Sequence, residues 1–127
     1  MNFEKVVFGF FIVLALTLNF GFFIGDIDNP EHHNVYELFA ALVVSLVATI
    51  LKFGERTQMG AVLLATSLVA DLQLIAAAIL WGFALYVTET GLTPSITSSI
   101  VSLSGGALLA NFTSVVLLIV ETVTLRR

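Results

Sequence analysis

Four long apolar runs set the terms for everything else in this chain. They extend from about Phe3 to Ile24, from about Pro30 to Phe53, from Gln58 to about Thr88 and from about Ser95 to Thr122. A hydrocarbon layer roughly 30 Å thick takes about 20 residues of helix to cross. Backbone amides find no water there, so a spanning segment must satisfy them internally, as a helix does. The runs therefore read as four transmembrane helices. A chain of 127 residues, 58% hydrophobic and 11% charged, cannot hide that much apolar surface within a soluble domain of its own. The expected fold class is all-α: a polytopic membrane protein, one transmembrane domain over residues 1–127, its helices packed up-down-up-down as a four-helix bundle.

Several function classes drop out at once. There are no cysteines, which removes disulfides and thiolate metal sites. The net charge is −4, and no basic patch points to nucleic acid. No Ser/His/Asp set, zinc motif or phosphate-binding loop is present, so neither enzymatic activity nor a cofactor is expected. The apolar run Val6 to Ile24 is longer than a usual signal-peptide core and lacks a small-residue cleavage site after it, so it reads as a retained first span.

Local punctuation marks the joints. Asn29-Pro30-Glu31 has the form of a helix start, with Asn as cap, Pro at the first helical position and Glu at the positive dipole end. It predicts a second span beginning near Pro30 with His32, His33 and Glu37 in its first turns. Gly54 is a helix stop. Trp81 and Tyr86 fall where an aromatic belt meets the membrane surface. In span 4, Ser98, Ser102, Gly106, Ala110 and Ser114 recur every four residues, the small-xxx-small spacing that lets helix backbones approach, within the bundle or between subunits. All five basic residues, Lys5, Lys52, Arg56, Arg126 and Arg127, fall on one side of the four spans, whereas the opposite loops carry Asp26, Asp28, Glu31 and Glu89. The positive-inside rule then places both termini in the cytoplasm.

The apolar pattern is broken most sharply at Asp71. A carboxylate deep in a span is expensive and faces protein or water rather than lipid. Counted from the basic residues, Asn19 lies fourteen residues beyond Lys5, Glu37 fifteen before Lys52, Asp71 fifteen beyond Arg56 and Asn111 fifteen before Arg126. At about 1.5 Å per residue, each would sit roughly 21–23 Å from the basic rim. This predicts one polar layer, with Gln73 a step further out. One reading is a hydrated ion pathway lined by Asp71, Glu37, Gln73, Asn19, Asn111 and Ser67, in which a carboxylate attracts a cation or relays a proton. The other is a structural hydrogen-bond layer with Asp71 bonded to Asn111. On span 3, Asp71 shares a face with Gly60, Leu64, Ser67, Ala78 and Gly82, while Gln73 lies about 200° round with Thr66, Ala70 and Ala77. Two polar faces suggest that this helix meets its own bundle on one side and another subunit or partner on the other. His33 and Glu37, four apart, would share a face. Such a pair can ligate a metal, but with no further ligand at diagnostic spacing His33 reads instead, with adjacent His32, as an interfacial His pair capping the acidic outer loop. Asp26, Asp28 and Glu31 with His33 form a candidate outer vestibule that concentrates cations.

The segments Leu18-Asn-Phe-Gly-Phe-Phe-Ile-Gly-Asp26 and Ala65-Thr-Ser-Leu-Val-Ala-Asp-Leu-Gln73 resemble an uncharacterised group of small proteobacterial four-span inner-membrane proteins. The resemblance implies a multi-pass location in the bacterial inner membrane and carries no activity. Length and span number are shared with the small multidrug exporters and the fluoride channels. However, the exporters' acid in span 1 and the channels' Thr/Ser/Phe-rich motif in span 3 are both missing. The expected function is a subunit of a homo-oligomeric cation channel or cation/proton transporter with an intramembrane acidic site. The alternative is a non-transporting accessory or assembly subunit of a larger membrane complex. Expected partners are the lipid bilayer, further copies of the chain, and a monovalent cation or proton, with a larger membrane protein in the alternative.

Overall fold

A computed structural model describes residues 3–125; Arg126 and Arg127, used above to orient the chain, lie outside the described residues. The chain is all-helical, with α1 (Phe3–Phe23), α2 (Val35–Lys52), α3 (Gln58–Tyr86) and α4 (Pro94–Leu125). All four are long and apolar enough to cross a membrane.

Helix boundaries follow local chemistry. Thr57 caps α3, its Oγ1 accepting from the Gly60 N–H at 3.0 Å. Gly54, at φ +83°, turns the chain between α2 and α3 in a conformation that other residues adopt only with strain. The start expected at Pro30 is only a 3₁₀ turn, Pro30–His32, capped by Asn29. The chain is extended at His33, and α2 begins at Val35 under a second cap, Asn34, which accepts from the Tyr36 N–H at 2.8 Å. The cause is His33 itself. Its Nδ1 lies 2.5 Å from the Phe22 carbonyl and its Nε2 2.7 Å from the Asp26 carbonyl, which holds it against the end of α1 and out of line with α2. His33 and Glu37 therefore do not share a helical face.

The helices form a closed ring in which α1 packs on α2 and α4, and α3 on α2 and α4. Neighbours are antiparallel, so Lys5, Lys52 and Arg56 gather at one end, the basic end, and the loops carrying Asp26, Asp28, Glu31 and Glu89 at the other. Two apolar clusters fill the interior. Phe8, Ile12, Ala48 and Leu63 pack toward the basic end. Phe22, Leu38, Ala41, Leu74, Ala77, Trp81, Ile100 and Ala107 pack toward the acidic end. Trp81 is thus not a belt residue: it is buried, edge-on to Phe22 with centroids 6.0 Å apart, while Tyr86 is exposed.

Both polar faces of α3 are used within this one chain. Ser67 and Asp71 point into the bundle, Asp71 toward α2. Thr66 and Gln73 meet α4, at Ser114 and over Gly106. A third face, with Val62, Leu68, Val69, Leu72, Ile79 and Phe83 exposed, is apolar. The ladder on α4 divides accordingly: Gly106 and Ser114 pack on α3, whereas Ser98 and Ala110 are half-buried and Ser102 is exposed.

Candidate functional site

Between the two apolar clusters the interior turns polar. Ser45 lies between Ala41 and Ala48 on α2, Ser67 and Asp71 between Leu63 and Leu74 on α3, and Asn111 beyond Ala107 on α4. All four are buried. Asp71 is 5% exposed and is held by two hydroxyls of α2. Ser45 Oγ donates to Oδ1 at 2.7 Å and Thr49 Oγ1 to Oδ2 at 2.5 Å, the short range of hydroxyl–carboxylate bonds. Thr49 Oγ1 also lies 3.0 Å from the Ser45 carbonyl one turn back. Asp71 does not pair with Asn111. That amide is fully buried with neither Oδ1 nor Nδ2 bonded within the chain, and Ser67 Oγ is likewise unbonded. Register places Asn111 close by. Thr66 Oγ1 meets Ser114 Oγ at 2.5 Å, so one turn along each antiparallel helix sets Asn111 level with about Val69–Ala70.

The single layer read from the sequence is two tiers. Asp71 bonds to residues eight and twelve positions beyond Glu37 on α2, about 12–18 Å further along that helix. Glu37 belongs instead to a tier nearer the acidic end. Gln73, two positions beyond Asp71, stays near the Asp71 tier and rests over Gly106, whereas the Glu37 carboxylate rests over the bare Cα of Gly21 on α1 in the outer tier. In this tier Asn19 meets Ser104 Oγ at 2.5 Å. With the amide turned so that Nδ2 faces the Ser104 carbonyl at 3.2 Å, Oδ1 takes the Leu108 N–H at 3.0 Å. The sequence count assumed that Lys52 and Arg56 lie level. The Asp71 bonds put Lys52 level with about Thr66, well inside α3, whereas Arg56 precedes the first turn of α3.

Lys52 explains that depth. It is 6% exposed, its Nζ 4.4 Å from the centroid of the Phe8 ring and 3.0 Å from Glu55 Oε2, a cation–π contact joined to an ion pair. Glu55 also accepts from Thr57 Oγ1 at 3.2 Å and folds over Gly60, where a Cβ would come within 2.5 Å of its Cγ. The hydrogen bond from Lys52 holds the Glu55 carboxyl below its ordinary range, against an opposing push from partial burial. Ser45, Thr49 and Lys52 all face inward on α2. They form a track of polar side chains on that face from Asp71 toward the basic end, beside the Phe8 and Ala48 cluster, and Lys52 at its end borders a cavity of about 300 Å³ lined in part by Glu4, Lys5 and Glu55. Lys5 and Glu121 close the α1–α4 seam at that end, 3.1 Å apart.

At the acidic end, Asp26, Asp28 and Glu31 are exposed on their loop, but His33 is not part of a vestibule. It is 3% exposed and caps the carboxyl end of α1. Both of its ring nitrogens face backbone carbonyls at the end of α1. His32 is its opposite: Nδ1 accepts the Asp26 N–H at 2.8 Å. Among the described residues, no group of three or more His, Asp or Glu side chains is placed to hold a metal.

The residues missed from sequence are Ser45, Thr49 and Ser104. Ser45 and Thr49 carry a legible signal, two hydroxyls four apart in an apolar run and in phase with Lys52. Ser104 carries none, being one of many serines in span 4.

No curated protein and no solved structure matches the chain. A family of unknown function, DUF6394, matches residues 32–122, a stretch that takes in Glu37, Ser45, Thr49, Lys52, Asp71 and Asn111. That match covers most of the sequence, and the chain belongs to the family of unknown function DUF6394.

Proposed function

We propose that this is a multi-pass protein of the bacterial inner membrane, with both termini and the basic end in the cytoplasm. In this reading it is a subunit of a homo-oligomeric assembly that passes a small cation or proton, and Asp71 is the exchange site. One observation carries the reading: a carboxyl buried at mid-bundle whose bonding partners are hydroxyls rather than a basic side chain. A purely structural acid at that depth is costly, and a hydroxyl pair offsets little of the cost, since interhelical polar bonds in membranes average about 0.6 kcal/mol. The buried, unbonded amide of Asn111 and hydroxyl of Ser67 at the same level favour water there, because such groups are satisfied by protein or by ordered water. The polar track along α2 supplies a route toward the basic end.

The test is flux from purified protein in liposomes. Wild-type protein is expected to conduct and Asp71→Asn to fail while remaining folded, since the amide keeps the shape but cannot ionise. Equal flux from both sinks the exchange-site reading. Silence from wild type, with a second membrane protein co-purifying, supports the accessory role instead.

A further inference from the structure

We propose that the species exchanged at Asp71 is the proton and not a metal cation, an inference that rests on Asp71 being an exchange site. Its ground is hydrogen accounting at three oxygens. Thr49 has one hydroxyl hydrogen and two acceptors in reach, Asp71 Oδ2 at 2.5 Å and the Ser45 carbonyl at 3.0 Å. With Asp71 ionised, Ser45 and Thr49 both donate to it. With Asp71 protonated on Oδ2, that hydrogen is donated to Thr49 Oγ1, Thr49 turns its own hydrogen to the Ser45 carbonyl, and Ser45 still donates to Oδ1. Every donor has an acceptor in both states, and no heavy atom moves. A buried polar group left without its partner is what makes most such sites rigid in one protonation state; this one is satisfied in two.

The step balances simply. On uptake an O–H bond forms at Oδ2, the hydrogen comes from a hydronium ion, water is left behind, and the hydroxyl of Thr49 rotates. On release the Oδ2–H bond breaks, water takes the proton, and the hydroxyl rotates back.

The same oxygens suit a metal poorly. Asp71, Ser45 and Thr49 offer four side-chain oxygens, two of them hydroxyls whose hydrogens are committed to the carboxylate, whereas a hard cation such as calcium takes about six to eight. The charges near the track are not those of a cation-collecting mouth. Glu4 and Lys5 of α1, Lys52 of α2 and Glu55 of the turn line the basic-end cavity, two acids against two bases. Glu121 of α4 is paired with Lys5. Glu37 of α2 lies in the other tier. Apart from Asp71, α3 carries no charged residue.

Full-length protein in liposomes tests this. A transmembrane pH gradient is imposed in choline medium and read by an entrapped pH dye, and uptake of radioactive sodium and rubidium is followed in parallel. The expected result is proton flux without sodium or potassium present and no uptake of either tracer. Asp71→Asn and Thr49→Val should each lower proton flux, the former on the order of a hundredfold or more, while Thr49→Ser retains it. Infrared difference spectra between acid and neutral pH should show a protonated-carboxyl carbonyl band that is lost in Asp71→Asn. Tracer uptake that depends on Asp71 overturns the proton assignment but leaves the exchange site standing. Identical behaviour of wild type and Asp71→Asn in both flux and infrared overturns the exchange site, and the proton assignment with it.

Discussion

The Asp71–Thr49 bond makes a sharp energetic claim, because its loss leaves each partner in a definable state. In Thr49→Val the hydroxyl is replaced by a methyl of similar volume, and Asp71 Oδ2 loses its donor. In Asp71→Leu both hydroxyls lose their acceptor, but Thr49 already lies 3.0 Å from the Ser45 carbonyl and turns there, a common refuge for a helical threonine. The loss at Thr49 in Asp71→Leu therefore costs less than a soluble-protein core bond would suggest, whereas Thr49→Val leaves a buried carboxylate oxygen without a donor. The informative quantity is the coupling in a double-mutant cycle. Polar pairs between membrane helices couple by about 0.6 kcal/mol on average and about 1.7 at most. At 2.5 Å this pair belongs in the upper half of that range, about 1–1.5 kcal/mol, while Ser45–Asp71, at 2.7 Å, should couple nearer the mean. Reversible unfolding of the four proteins of each cycle in mixed micelles gives the numbers. Strict additivity of Thr49→Val and Asp71→Leu would refute the claim that these side chains are bonded.

Other outcomes follow from the same geometry. Gly106→Ala should stay within about 1 kcal/mol of wild type, because the new Cβ meets only the far end of the flexible Gln73 side chain, which can give way, and alanine is the better helix former; a larger loss in thermal unfolding would show that Gln73 is fixed in place. Gly82→Leu should be close to neutral in a monomer, since nothing lies within 4 Å of a Cβ there. A clear loss of stability or of oligomer from that change, measured by thermal unfolding and light scattering, would reveal a second chain packed on this face. His33→Phe removes the ring contact to the Phe22 carbonyl, while the Asp26 carbonyl keeps the Asn29 N–H, and should cost about 1–3 kcal/mol, visible as faster amide exchange at the end of α1. Glu55 is lowered in the folded state chiefly by the Lys52 hydrogen bond. Its stabilisation is present in full above the ordinary carboxylate range and is lost as pH falls through the lowered folded value. Stability measured against pH should therefore drop less steeply at the acid end in Glu55→Gln than in wild type, and an unchanged slope would contradict the pairing. Reporter fusions after the last residue and in the 89–93 loop should give opposite signals if the basic end is cytoplasmic.

The four helices and the special standing of Asp71 were legible because both rest on one property, apolar run length and its interruption. Element joints were less so. Asn29-Pro30-Glu31 does start a turn, but a contact from His33 to α1 stops it after three residues, and no local pattern announces a side chain that reaches back eleven positions. The polar layer failed as a ruler for a similar reason. A count from Lys52 treats it as a surface mark, yet Phe8 and Glu55 draw it inside. One of the two readings of the layer pairs Asp71 with the Asn111 amide, but two hydroxyls on α2 hold that place. Helical phase showed that α3 has two polar faces, but not that α2 and α4 would take one each.

The bond between Asn19 and Ser104 joins positions 85 apart in sequence. Asn19 therefore emerges from the ribosome in the first helix and waits for partners that arrive only with the last. Until α4 inserts, the first three helices hold an unmet amide on the side that α4 will cover. A chain truncated after α3 would keep that amide without its partner, and a lipid-facing polar group of this kind is costly, so the last helix to be made completes the satisfaction of the first.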